Sequence, residues 1–262
     1  MRVFGISDIH VDHAQNAAWL SNLSREDYRD DILILAGDVS DSLQLVEQSL
    51  TNLAERFSRV MYVPGNHELW VIRDSKKMTS FEKFNEVCAL AQECGASTEP
   101  LRSPELSIIP LFGWYDYSFG DPSVELEEQW GDYFACNWPP DLGVREVASR
   151  FVMMNEPLPA PGNGVVITFS HFLPRIDLMP RGLPEVHRYL YPVLGSAQLE
   201  RQLRHAGATL HLYGHSHINR RTTFDGITYI NNAFGYPTEK RFTAKCLLCI
   251  HGDDGRTDTD SV

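Results

Sequence analysis

Five short clusters carry the residues able to do chemistry: Asp8-Ile9-His10, Gly37-Asp38-Val39-Ser40-Asp41, Gly65-Asn66-His67-Glu68, Ser170-His171 and Gly214-His215-Ser216-His217. Each follows an apolar run. Their side chains offer carboxylate, amide and imidazole donors without thiolate, a set that suits Mn, Fe or Zn and disfavours a zinc finger. Strand side chains repeat every two residues, so Asp8-x-His10 is expected to present both groups on one side of an extended strand end, and His215-x-His217 likewise. Seven donors result: Asp8, His10, Asp38, Asn66, His171, His215 and His217. That is too many for one tetrahedral ion. It suits two divalent or trivalent ions about 3.5–4 Å apart sharing a carboxylate, the arrangement used for in-line displacement at phosphorus.

Charge points the same way. Two divalent cations, set against two aspartates and a bridging hydroxide, leave about one positive charge to attract an anionic ester. The bridging hydroxide is the expected nucleophile. The departing alkoxide then needs a proton, and His67 sits beside a donor without being counted as one. Its imidazole has the pKa for that transfer.

The elements that must position these groups can be read from apolar periodicity. Arg2–Ser7, Asp31–Ala36 and Arg59–Val63 read as strands. Ala14–Leu23, Leu43–Phe57 and Phe81–Glu93 carry helical stripes. Alternating strand and helix is the pattern of βαβ units, whose ligands collect outside the carboxyl ends of the strands. Further strands are expected at Leu106–Phe112, Gly164–Phe169, Leu210–Tyr213, Thr222–Phe224, Thr228–Ile230 and Thr243–Ile250, with a helix at Ser196–His205. Asp225-Gly226 is a hairpin turn. The expected organisation is one α/β domain over 1–252, a surface insertion near 115–161 holding an acidic helical piece around Val124–Tyr133, and a polar tail at 253–262.

Composition narrows the class. Of 262 residues, 43% are hydrophobic and 22% charged, so disordered, collagen-like and coiled-coil chains are excluded. A net charge of −12 disfavours a nucleic-acid partner. No run approaches the ~18 apolar residues of a membrane span. The start of the chain reaches Asp8 too early for a signal-peptide core. Five cysteines, an odd number, read as reduced thiols, and Cys246-x-x-Cys249 lies in an apolar run with no second ligand pair. A cytoplasmic location is expected. Nothing marks an oligomeric state.

The order D-x-H, G-D-x-x-D, G-N-H-E, H, G-H-x-H resembles that of the calcineurin-like metallophosphoesterases, and it spans residues 8–217. The resemblance implies a four-layer α/β/β/α sandwich of two mixed sheets flanked by helices. It implies that Asp8, His10 and His217 hold one ion and Asn66, His171 and His215 the other, with Asp38 bridging. His67 becomes the proton donor, which also steadies the phosphate, and Asp41 its hydrogen-bonding orienter. Protein serine/threonine phosphatases of the superfamily follow that acid with Arg-Gly. Here Ser42-Leu43 follows, so that activity is not implied. The residues around 100–160 take no part in the resemblance.

Blander readings stand beside these. Asp8 and Asp38 could merely be turn formers or helix caps. His171 could be a core histidine, as His211 on its strand is expected to be. His13, His187, His205 and His251 read as surface, and Asp12 as either a loop acid or a partner of the site. Arg175, Arg220 and Arg221 read as surface arginines, and Trp114-Tyr115-Asp116-Tyr117 as core. No substrate-binding residue is assigned. The leading expectation is a dimetal phosphoesterase acting on a small phosphomonoester or phosphodiester. The alternatives are a metal-binding scaffold of the same fold, against which His67 and Asp41 speak, and a DNA nuclease, for which no basic stripe exists.

Overall fold

A computed structural model describes residues 1–73, 77–158 and 164–252. Strand β1 (Val3–Ile6) leads through helix α1 (Ala14–Ser21) to β2 (Ile32–Ala36), then through α2 (Leu43–Ala54) to β3 (Arg59–Val63). Helix α3 (Ser80–Glu93) opens with a Thr79/Glu82 capping box and ends before β4 (Ala96–Ser97). These strands form a sheet of order β11-β1-β2-β3-β4, in which β11 (Leu248–His251) runs antiparallel to β1 and the rest are parallel.

The second sheet uses β5 (Leu101–Arg102), β6 (Leu106–Pro110), β7 (Val165–Ser170), β8 (Leu210–Tyr213), β9 (Arg220–Phe224) and β10 (Ile227–Asn231), in the order β5-β6-β7-β8-β10-β9. Its edge strands β5 and β9 pair antiparallel and its centre is parallel. Asp225 and Gly226 both take positive φ, as the tight β9–β10 hairpin requires.

Strand alternation builds the layers. Ile32, Ile34 and Ala36 pack with Ile108, Ile167, Phe169 and Leu212 between the two sheets. Leu33 and Leu35, one residue out of phase, pack with Leu20, Val46, Leu50 and Val87 of α1–α3. On the far side Ile109, Val166 and Tyr213 pack with helix α6 (Val144–Met154) and helix α7 (Ala197–His205). The result is helices, sheet, sheet, helices, in two mixed sheets.

Differences from the periodicity reading have local causes. The acidic piece breaks into α4 (Val124–Gln129) and α5 (Asp132–Ala135), because Trp130 turns extended between them. The last strand starts at Leu248, not Thr243. Lys245 sits at φ 53° and donates to the carbonyls of Phe234, Gly235 and Tyr236, which takes the chain out of the sheet. Residues 115–158 do more than cover a surface: Tyr115, Leu126, Val147, Ala148 and Phe151 are core. The expected tail at 253–262 lies outside the described residues.

Candidate metal centre

Strands β1, β2, β3, β7 and β8 all deliver their carboxyl ends to one place, and the seven donors meet there. Asp8, His10, Asp38 and His217 offer ligand atoms within 4.8 Å of one another. Asp38, His171 and His215 do the same, so Asp38 belongs to both groups. Asn66 Oδ1 lies 3.0 Å from His171 Nε2.

The backbone reaches this arrangement by a route the strand period did not foretell. Asp8, His10, Asp38, His215 and His217 all have φ between 44° and 66°. They lie on left-handed turns beyond the strands, not on extended strand ends. Each such residue costs on the order of 1–3 kcal/mol and persists only where its surroundings over-determine it. Those surroundings are visible. The Asp8 carboxylate accepts from His215 N at 3.1 Å, and the Asn16 amide donates to Ile9 O at 2.7 Å and Gly235 O at 3.1 Å. A Cβ on Gly65 would lie 2.2 Å from Asp38 Oδ1, so only glycine fits there.

The imidazoles are oriented from behind. His171 Nδ1 donates to Ala36 O (2.9 Å) and His215 Nε2 to Val193 O (3.0 Å). Each therefore keeps a lone pair on its other nitrogen. Those two nitrogens face each other at 3.1 Å. Lone pair against lone pair makes no hydrogen bond, whereas a shared cation accounts for the contact. His217 Nδ1 pairs with Glu239 Oε2 at 2.7 Å, and its Nε2 lies 3.1 Å from His10 Nε2. The residues present thus fit cation binding.

Burial, with the Glu68 and Asp8 carboxylates close by, pushes Asp38 well above the carboxylate range. Burial and the neighbouring histidines push His10 and His215 down, keeping them neutral donors. Burial also works to lower His217, but the Asp8 and Glu239 carboxylates hold it up at about 10.

His67 stacks on Trp70, with centroids 3.8 Å apart, and its Nε2 lies 3.8 Å from Asp38 Oδ2. Burial, with His171 and His217, lowers it to about 3. Asp41 does not reach it. That carboxylate pairs with Arg73 at 2.8 Å, and among the described residues no hydrogen bond joins it to His67. Arg73 also holds Asp12 (3.1 Å), and Asp12 accepts from Ser40 Oγ, so Asp12 belongs to a loop clamp. The expected orienting contact is corrected accordingly: the nearby guanidinium takes the acid, and the Trp70 ring orients His67.

Sequence reasoning missed four supporting residues. Buried Glu68 accepts from the backbone N–H groups of Asp38, Val39, Ser40 and Gly65, tying two ligand loops together. Asp132 accepts from Asn66 Nδ2 at 2.8 Å, which turns Asn66 Oδ1 toward the centre. Glu239 sets His217, and Tyr236 packs on His10 at 4.5 Å. Only Glu68 had a signal, its place beside His67. Residues 100–160, expected to stand apart, supply Asp132.

Elsewhere the blander readings hold. His211 is fully buried between Thr168 Oγ1 and Ser170 Oγ, and Trp114 and Tyr115 are core. Arg175 is bound to Asp177 and Glu200. His187 is exposed but lines a groove beside the centre.

Two cavities open from the site. One, about 600 Å³, runs along Met179, Leu183, Pro184, Leu194, Ile218 and Phe242. The other, about 350 Å³, is lined by Trp70, Leu126, Gln129, Trp130 and Tyr189. Both touch Asn66, His67, Trp130, Leu190 and Tyr236.

Two mixed sheets between helices, with Asp, Asn and His donors at their carboxyl ends, define a metallophosphoesterase. The sequence model of the calcineurin-like phosphoesterases matches residues 1–219, and the chain belongs to that family. It is a metal-dependent phosphoesterase. Within the family it is similar to the [acyl-carrier-protein] phosphodiesterase PptH of Mycobacterium tuberculosis, at 28% identity over 265 residues, covering 91% of this chain and 79% of the relative. The crystal structure of the phosphopantetheinyl hydrolase PptH from the same organism superposes with a TM-score of 0.78 at 25% identity, covering 98% of each chain. TT1561 of Thermus thermophilus shares the fold at a TM-score of 0.52 and 14% identity, over 88% of this chain and 89% of that one. No described helix is long and apolar enough to cross a membrane.

Proposed function

We propose that the chain hydrolyses a phosphodiester whose two alcohol arms differ, of the kind that joins a phosphopantetheinyl group to an acyl carrier protein. The observation that carries this reading is the pair of unlike cavities meeting at His67 and Asn66. A monoester has one arm and needs one cavity; a diester held at its phosphorus needs two. The similarity to PptH supplies the substrate class.

Asp8, His10 and His217 would hold one cation and Asn66, His171 and His215 the second, with Asp38 between them. The metals would be Mn, Fe or Zn. When bound they supply Lewis-acid polarisation of the phosphoryl group and an activated water for in-line attack. The protein does the rest. Trp70 holds the His67 ring at the junction of the cavities. Burial and neighbouring imidazoles lower His67 to about 3, and the anionic phosphate of a bound ester acts in the opposite direction. The apolar and aromatic walls limit water to the site. A reducing, cytoplasmic setting belongs to the same reading, since the chain carries an odd number of cysteines.

The test is hydrolysis of a holo carrier protein and of bis-p-nitrophenyl phosphate by protein stripped of metal and resupplied with Mn²⁺. His67→Ala is expected to bind Mn²⁺ as the parent does and to lose roughly a hundredfold or more in kcat on the carrier. Turnover that persists in His67→Ala, or in chelated protein, would sink this mechanism. Cleavage of p-nitrophenyl phosphate in preference to both diesters would sink the diester assignment.

A further inference from the structure

Charge is distributed unevenly in this acidic chain. Residues 175–245 hold ten lysines and arginines against five acids, while the rest of the chain holds thirteen against thirty. Part of this basic stretch is internally neutralised. Arg175 and Arg204 are bound by Asp177, Glu200 and Asp225. The segments that wall the 600 Å³ groove are different. Arg181 and Arg188 flank its lining residues Gly182 and His187, and Lys240 and Arg241 lie between its lining residues Glu239 and Phe242. All four cations are exposed, and none has an ion pair among the described residues. One exposed acid, Glu185, stands on these segments; Glu239 is held by His217.

The groove floor between them is apolar, and Phe242 leaves 55% of its surface exposed there. An apolar centre with arginines at its rim has the composition of a protein–protein interface. A small anionic ester needs cations at its phosphate, not spread along two segments of a groove. The 350 Å³ cavity is smaller and aromatic, and has the size of a small-ligand pocket.

Resting on the diesterase reading above, we propose that the 600 Å³ groove is the docking side for the carrier protein, which presents an acidic face to Arg181, Arg188, Lys240 and Arg241. The phosphopantetheinyl arm then points the other way, into the cavity lined by Trp70, Leu126 and Tyr189. Leaving-group geometry, the length of arm accepted and the identity of the carrier are thereby set by different walls.

The experiment compares Mn²⁺-supplied wild type with the Arg188→Glu/Arg241→Glu double variant on two substrates, a holo acyl carrier protein and bis-p-nitrophenyl phosphate. The variant is expected to raise KM for the carrier about tenfold or more with kcat within about twofold, because rim charges act on encounter. Its kinetics on the small diester stay at the wild-type level. Wild-type kcat/KM on the carrier falls as salt rises, and the variant flattens that dependence. A carrier KM unchanged by the double reversal overturns the docking assignment while leaving the diesterase reading intact. An equal loss on both substrates also overturns it, because the effect is then on the site itself. A wild-type protein that cleaves the small diester but no holo carrier removes the reading beneath the assignment, and the two failures are told apart by that one control.

Discussion

Asp132 offers the sharpest test of how the centre is built. Its Oδ1 accepts from Asn66 Nδ2 (2.8 Å) and Trp70 Nε1 (2.7 Å), and its Oδ2 accepts from Trp130 Nε1 (2.8 Å). Burial pushes its pKa up, and these donors oppose the rise. In Asp132→Asn the oxygen can stay with Asn66 and Trp70, since the flipped amide would fail two donors instead of one. The new NH₂ then faces the Trp130 N–H, donor against donor. Losing one hydrogen bond to a buried carboxylate, at about 1.5–3 kcal/mol, sets a cost near 2 kcal/mol. Asp132→Ala abandons these three donors and the Tyr115 hydroxyl that also lowers the carboxylate's pKa, and should cost about 6 kcal/mol or more on the same scale. Adding Trp130→Phe to Asp132→Asn removes the clashing N–H, so the double variant should be more stable than the sum of the two single changes by about 1–2 kcal/mol. Urea denaturation in the presence of chelator reads these numbers without metal. The second readout is Mn²⁺ affinity by calorimetry. In Asp132→Ala the Asn66 amide loses what fixes its orientation, and affinity should fall roughly tenfold to a hundredfold. Additive energies in the cycle, or wild-type metal affinity in Asp132→Ala, would refute the clamp.

Two more outcomes follow from the same structure. Glu239→Gln replaces the carboxylate 2.7 Å from His217 Nδ1, and should lower Mn²⁺ affinity at one of the two sites by roughly tenfold to a hundredfold, seen in a biphasic titration, while the other site titrates as before. His211, held neutral by burial at about 3, makes stability pH-dependent. Below its unfolded value near 6.5 the unfolded chain takes up a proton that the folded chain refuses, so stability falls by about 1.4 kcal/mol per pH unit from about 6 to 4. His211→Gln should flatten that slope by this amount, whatever its offset at pH 7. Parallel stability curves for the two proteins over that range would show that His211 is not the group responsible.

What the chain's order of residues offers by itself is the candidate donor set. Asp8, His10, Asp38, Asn66, His171, His215 and His217 each follow an apolar run, and parallel strands in a layered sheet carry their ends to one side. That inference needs only periodicity and residue type. The helix on Leu43, Val46, Leu50 and Leu53 was legible for the same reason: it is a local pattern repeating over three turns. The geometry of the centre was not local. Asn66 is aimed by Asp132, 66 residues away, and His217 by Glu239, 22 residues away across a turn. Asp41 meets Arg73 instead of His67, because which cation is nearest depends on how two loops fold together. Five candidate donors sit on left-handed backbone, a conformation uncommon outside glycine even for Asp and His, so long-range packing has to hold it. The two cavities and the cations along one of them exist only once residues 115–158, 179–190 and 239–242 are folded around the same point. The candidate ligands are read from residue type; orientation, pocket and rim come from contacts between segments far apart in the chain.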